Sequence, residues 1–218
     1  YEEKRRYYYS LLENNTSSQG TFDKFFVLQA INELRHIVSS PELENKKILS
    51  SKKEVLMENV IEAIENGHKV LIFVNYLSSI ESICNSLKDN KIKFLKMTGQ
   101  TKDRQSLVDK FQSDNRYKVF VMTLKTGGVG LNLVSADTIF IYDPWWNKTV
   151  ENQAIDRAYR LGQDKTVFAY KMIMRNTIEE KILKLQEIKD KLLDDLISED
   201  NLSTKNLSKN DIEFILGN

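Results

Sequence analysis

One cysteine, Cys84, stands in 218 residues, so no disulfide can form within the chain. It lies in an apolar helical pattern with Ile80, Ile83 and Leu87, which makes it an inert core residue and fits a reducing compartment. Charge of one sign is also missing. With 32 basic against 31 acidic residues, any nucleic-acid contact must be a local patch and not a polycationic surface. No run is long or apolar enough to span a membrane, and no signal peptide is visible. The two histidines, His36 and His68, are isolated and read as surface or packing residues. There is no His/Cys cluster with zinc spacing and no arguable Ser-His-Asp set, so no metal site is expected. No G-x-x-x-x-G-K-[ST] loop is present to cradle phosphates. No Asp-Glu pair ends a strand to hold Mg²⁺.

The length suits one sizeable domain with appended helices, and 41% hydrophobic residues are enough for a core. Helices are predicted over 1–12 and 23–38, the second with Phe25, Leu28, Ile31, Leu34 and Val38 on one side and ending before Pro41. Strands and helices then alternate: helix 52–66, strand 70–74, helix 79–88, strand 94–97, helix 102–113, strands 119–123 and 138–142, helix 149–161 and strand 166–172. Ser78 and Glu81 form a capping-box pair, as do Thr177 and Glu180 ahead of a helix over 177–197. A last short helix, capped within Ser208–Asp211, would end at Gly217. The alternation argues for a parallel sheet covered by helices on both faces. Ligands in such sheets sit at the carboxyl ends of the strands. Asn75, Thr98, the Gly127–Gly130 loop and Asp143 all fall there. Residue 1 is Tyr, which is expected of a piece of a longer polypeptide.

Chemistry concentrates between residues 123 and 163. Gln153, Arg157 and Arg160 recur at helical spacings of four and three, beside an apolar stripe of Val150, Ala154, Ala158 and Leu161. A helix packed by that stripe would present two guanidiniums, planar and permanently charged, suited to phosphate oxygens. The alternative for a lone R-x-x-R is a solvated arginine face. Ahead of it, Gly127, Gly128 and Gly130 allow close backbone approach to a ligand or phosphodiester, although such a loop taken alone is equally a plain turn. It is not the dinucleotide fingerprint, because the third glycine is missing. Trp145 and Trp146 follow Pro144 at a strand end. One is expected to pack and the other to touch a partner, the alternative being a satisfied core pair.

The block from Met122 to Gln163, with TLKTGGVGLNLVSAD, DPWWN and QAIDRAYRLGQ, resembles motifs V and VI of the SWI/SNF-type ATPases within helicase superfamily two. Lys69–Tyr76 resembles motif IV, Met97–Phe111 the motif after it, and Thr177–Ile182 the closing brace helix. The resemblance covers roughly residues 25 to 197. It implies an α/β fold: a RecA-like parallel sheet sandwiched by helices, with an N-terminal helical protrusion and a C-terminal brace helix. It implies three regions: a linker and protrusion over 1–50, the C-terminal RecA-like lobe over 51–175, and the brace helix and tail over 176–218. ATP and Mg²⁺ would be bound mainly by an absent N-terminal RecA-like lobe of the same polypeptide. Arg157 and Arg160 would act as arginine fingers. Gly128 and Gly130 would line the nucleotide cleft, and Gln153 would link it to the DNA-gripping loop. Contacts to double-stranded DNA would come from Thr98, Lys125 and Thr126, with Asn75 and Ser78 as weaker candidates and Trp146 near the DNA. Specificity and recruitment by protein partners would lie in appended domains.

The chain would therefore carry half of an ATPase site and be inactive alone. Two other functions remain open: a strand-separating DNA or RNA helicase of the same superfamily, and a non-catalytic DNA- or protein-binding module. The abundance of Asn, Lys and Ile suggests an AT-rich genome. With the DPWWN variant it points to a bacterial, cytoplasmic and nucleoid-associated setting; a eukaryotic source would make it nuclear.

Overall fold

The computed structural model describes residues 1–14, 24–43, 48–127, 130–144, 148–190 and 214–215. The chain divides into two compact units, one of Tyr1–Ile48 with Met174–Asn218, the other of Leu49–Ile173.

In the first unit α1 (Glu2–Asn14) and α2 (Lys24–Ser39) are followed by one 3₁₀ turn (Pro41–Leu43), and α8 (Ile178–Asp190) packs on α2. Val27, Ala30, Ile31 and Leu34 are buried along α2, as are Ile178 and Ile182 on α8. These are the periodic positions expected of amphipathic helices. At the start of α8, Thr177 Oγ accepts from the Glu179 backbone N–H at 3.3 Å, and Glu180 accepts from the Asn176 N–H at 2.8 Å. Both expected capping residues act, but each bond is displaced by one residue from the expected box. The expected stretch beyond Asp190, and most of the expected last helix, lie outside the described residues; Phe214 and Ile215 are helical.

The second unit carries α3 (Ser51–Glu65), β1 (Val70–Val74), α4 (Leu77–Asp89), β2 (Phe94–Met97), α5 (Arg104–Ser113), β3 (Val119–Thr123), α6 (Leu124–Gly127), β4 (Thr138–Ile141), α7 (Lys148–Ile155) and β5 (Phe168–Lys171). The five strands are parallel, in the order β2-β3-β1-β4-β5. β1 is central: Val70 pairs with Val119 on one side and Thr138 on the other. All five of its side chains are buried, each contributing about 1.5–3 kcal/mol through burial. Alternation sorts them. Val70, Ile72 and Val74 pack with Leu56, Met57, Ile80, Ile83 and Leu87 of α3 and α4. Leu71 and Phe73 pack with Val108 and Phe111 of α5 and Ala154 of α7. Burial raises the Cys84 thiol to about 11, as suits an inert core residue.

Three expectations are corrected here. The helix expected over 149–161 stops at Ile155 and gives way to turns. A continued helix would give the Arg157 and Ala158 carbonyls to residues 161 and 162. Instead Leu133 N donates to Arg157 O at 3.0 Å, and Gln163 Nε2 donates to Ala158 O at 3.2 Å. Tertiary donors thus capture the carbonyls, and Gly162 at φ 98° completes the reversal. Leu161, placed on the apolar stripe by its spacing, is exposed, while Ala154 and Ala158 are buried. Helix α4 begins two residues earlier than expected. Tyr76 holds the N-cap position without a side-chain capping bond, so Ser78 lies inside the first turn and is not the N-cap of the expected box. Finally, Leu124–Gly127 is a single helical turn, where only a loop was expected.

At the opposite end of the sheet, His68 precedes β1 and Lys165 precedes β5. His68 Nδ1 lies 2.9 Å, and Lys165 Nζ 2.8 Å, from Oδ2 of Asp137, which is 1% exposed. Burial alone would raise the Asp137 carboxyl, but the bonds to Lys165 and His68 outweigh it and hold the group below its ordinary value. A carboxyl depressed in the folded state contributes stability above its unfolded pKa and loses it as pH falls through the folded one. Stability is therefore expected to drop below about pH 4. Asp137→Asn should flatten that part of the curve. Urea unfolding of both proteins across the acid range reads the slopes directly, and equal slopes would refute the assignment.

Candidate functional site: the carboxyl edge and the arginine turn

The carboxyl ends of β2, β3, β1 and β4 bring Thr98, Leu124–Gly127, Asn75 and Asp143 along one edge of the sheet. The crossover helix after β1 lies on one face, and those after β2 and β4 lie on the other. Adjacent loops thus leave in opposite directions at β1, the geometry that opens a crevice for ligands.

Each element of this edge is braced from within. The Asn75 backbone N donates to Asp143 Oδ2 at 3.1 Å, and its side-chain amide donates to the Asp143 carbonyl. Asp143 is itself buried. Thr98 N donates to Thr101 Oγ1 at 3.0 Å, and Thr98 Oγ1 accepts from Gln100 N at 3.3 Å. Arg104 closes that turn by donating to the carbonyls of Gly99 and Thr101. Ser78 is half-buried. Lys125 is exposed, whereas Thr126 is 3% exposed and its hydroxyl lies 2.6 Å from that of Thr123. Of this pair Lys125 offers a charge to solvent, and Thr126 holds the helical turn that carries it. A Cβ on Gly127 would lie 2.3 Å from Phe73 Cε1, so the backbone here rides directly on the core. Gly130 is exposed at φ 40°, in the left-handed region that favours glycine. Gly128, Trp145 and Trp146 lie outside the described residues.

Arg157 and Arg160 sit on the turn after α7, and Gln153 on α7 itself. Arg157 Nε donates to the Gln153 carbonyl at 3.0 Å, which uses one of five guanidinium donors and steadies the stem. The structure therefore joins Gln153 to Arg157 through its backbone. Arg157 is half-buried and Arg160 exposed. Among the described residues no ion pair joins either guanidinium to a carboxylate. Two uncompensated, forked cations on a pinned turn suit an anionic ligand with several oxygens. Among the described residues no group of three or more His, Cys, Asp or Glu could hold a metal.

Sequence reasoning missed two features. Gln163 clasps the arginine turn from its far side, through a bond to Ala158 O and others to the segment before β4. It closes the run that contains both arginines, and its adjacency to Gly162 was the available signal. The His68–Asp137–Lys165 cluster joins residues 69 and 28 positions apart, beyond any local pattern.

The helicase conserved C-terminal domain family matches residues 51–162. A Mycoplasma pneumoniae protein named uncharacterized ATP-dependent helicase is 39% identical over 81% of this chain and 17% of its own length. The putative ATP-dependent helicase/translocase YwqA of Bacillus subtilis is 35% identical over 92% of this chain and 23% of its own length. This chain thus spans about a fifth of the length of these relatives. Among solved structures, the Sulfolobus solfataricus SWI2/SNF2 ATPase core in complex with double-stranded DNA matches with TM-score 0.78 and 28% identity, over 98% of this chain and 46% of that one. With the parallel five-stranded sheet, these matches establish that the chain belongs to the helicase conserved C-terminal domain family, with the fold of the C-terminal RecA-like lobe of the SNF2-type helicases.

Proposed function

We propose that this chain is the second motor lobe of an ATP-dependent double-stranded DNA translocase, completing an ATP site whose other half lies on a first RecA-like lobe. The observation that carries the reading is the arginine turn: Arg157 steadied by Gln153, Arg160 exposed, and neither paired with a carboxylate among the described residues. The substrate is ATP, which the first lobe would hold together with Mg²⁺, and the metal would there offset phosphate charge. Closure of the lobes brings Arg157 and Arg160 to the γ-phosphate oxygens, where their fixed charge stabilises the transition state. Gly128 and Gly130 line the cleft from this side. Lys125 and Thr98 meet the phosphodiester backbone, which gives grip without sequence readout. Thr126 holds the turn that carries Lys125, Asn75 braces the Asp143 end of β4, Ser78 is a weaker candidate contact, and Trp146 is assigned to the DNA side, where an aromatic face can stack.

The names of the relatives support ATP use, and the DNA complex of the Sulfolobus structure supports duplex engagement. The test is ATP hydrolysis by a two-lobe protein with duplex DNA, single-stranded DNA or RNA added, beside a strand-separation assay. Stimulation by duplex without strand separation is expected. Strand separation, or preference for RNA, would move the chain to the unwinding helicases.

A further inference from the structure

Gln163 ties the arginine turn to the segment that leaves the glycine loop. Its Nε2 lies 2.9 Å from Val134 O, 2.8 Å from Ala136 O and 3.2 Å from Ala158 O. An amide nitrogen has two protons, so three carbonyls share it. Its Oε1 accepts from Lys165 N at 3.0 Å, and its backbone N donates to Arg160 O at 3.0 Å. Leu133 N adds the bond to Arg157 O, also at 3.0 Å. Residues 131–136, which run from Gly130 into β4, are thereby fastened to the turn that bears both arginines. Gln112 on α5 grips the same segment from elsewhere: its Nε2 donates to Asn132 O at 3.0 Å, and its Oε1 accepts from Ser135 N at 2.9 Å. Gln112 makes neither of these bonds to the arginine turn, so the two glutamines separate stability of the segment from placement of the arginines.

We propose that Gln163 is a positioning residue that holds Arg157 and Arg160 in place against residues 131–136, the segment that leads from Gly130 into β4. The inference rests on the arginine reading above. The polar bonds of one side chain span both structures, and a misplacement near 1 Å can cost about a hundredfold in rate.

The test uses a two-lobe protein and Gln163→Glu, which keeps the shape but, once ionised, has no proton to donate and faces three carbonyls with a negative charge. Duplex-stimulated kcat should fall about a hundredfold, with KM for ATP and duplex affinity nearly unchanged. Gln112→Glu should leave kcat close to that of the parent. In an Arg157→Ala/Arg160→Ala background, single-turnover rates should show little further loss from Gln163→Glu, because the residue acts through both arginines. Gln163→Met, uncharged and of similar length, serves if Gln163→Glu unfolds. Equal losses from the Gln163 and Gln112 variants, or a full additional loss in the background lacking both arginines, would overturn the positioning role. Undiminished hydrolysis by Arg160→Ala alone would instead overturn the arginine reading.

Discussion

Arg160→Ala in a two-lobe protein is expected to lower ATP hydrolysis about a thousandfold or more, while duplex affinity and folding stay nearly unchanged. The size follows from what an arginine supplied to a transferring phosphoryl group contributes to turnover. The selectivity follows from the site. Arg160 is exposed and has no carboxylate partner among the described residues, so its removal leaves no cavity and no orphaned buried charge. Surface changes of that kind stay within about 0.5 kcal/mol. Arg160→Lys should rescue little, since a point charge lacks the planar fork. Arg157→Ala should show a similar catalytic loss with an added stability cost of about 1 kcal/mol, because it also removes the bond from Nε to the Gln153 carbonyl. Steady-state hydrolysis beside a duplex-binding titration separates the two effects. Hydrolysis near the parental rate in Arg160→Ala would end the arginine assignment.

Gly127→Ala is expected to be the most damaging single-methyl change at the carboxyl edge. The added Cβ would stand 2.3 Å from Cε1, 3.0 Å from Cδ1 and 3.3 Å from Cζ of Phe73. Phe73 is fully buried among Leu71, Met122 and Ile141, so its ring can shift only by displacing core neighbours. Overpacking of this kind costs about 1–3 kcal/mol, or a melting point lower by roughly 4–10 °C for a unit of this size. Gly130→Ala makes the comparison informative. Its Cβ meets nothing within 4 Å, and its cost comes only from φ 40°, about 1–2 kcal/mol for a side chain in the left-handed region. Thermal unfolding of the two variants should therefore give the larger drop for Gly127→Ala. The reverse order would mean that Phe73 yields more easily than its burial suggests.

The strands were legible because each is a short apolar run in which the packing on both faces asks for the same residue types. Val70–Val74 and Val119–Thr123 needed no tertiary information, and the parallel order followed from the helices between them. The site was legible in its residues but not in its shape. Spacing alone placed Gln153, Arg157 and Arg160 on one helical face, yet the helix stops at Ile155. The helix leaves its i−4 bonding at Arg157, whose backbone N turns to Ala154 O, and the carbonyls beyond are taken by donors from residues 133 and 163, one of them more than twenty positions away. Thr126 shows the same limit. Its hydroxyl looked available in sequence, but it is turned to Thr123 within a single helical turn. Local pattern reports which groups a segment owns; the partners that consume them are set by topology.

The most direct measurement is ATP hydrolysis by this chain alone and by a two-lobe protein in which it follows a first RecA-like lobe, each with and without duplex DNA. A half-site predicts no hydrolysis from the chain alone and duplex-stimulated hydrolysis from the two-lobe protein. Hydrolysis by the chain alone would mean that it carries a complete site, and the division of labour between two lobes would be contradicted.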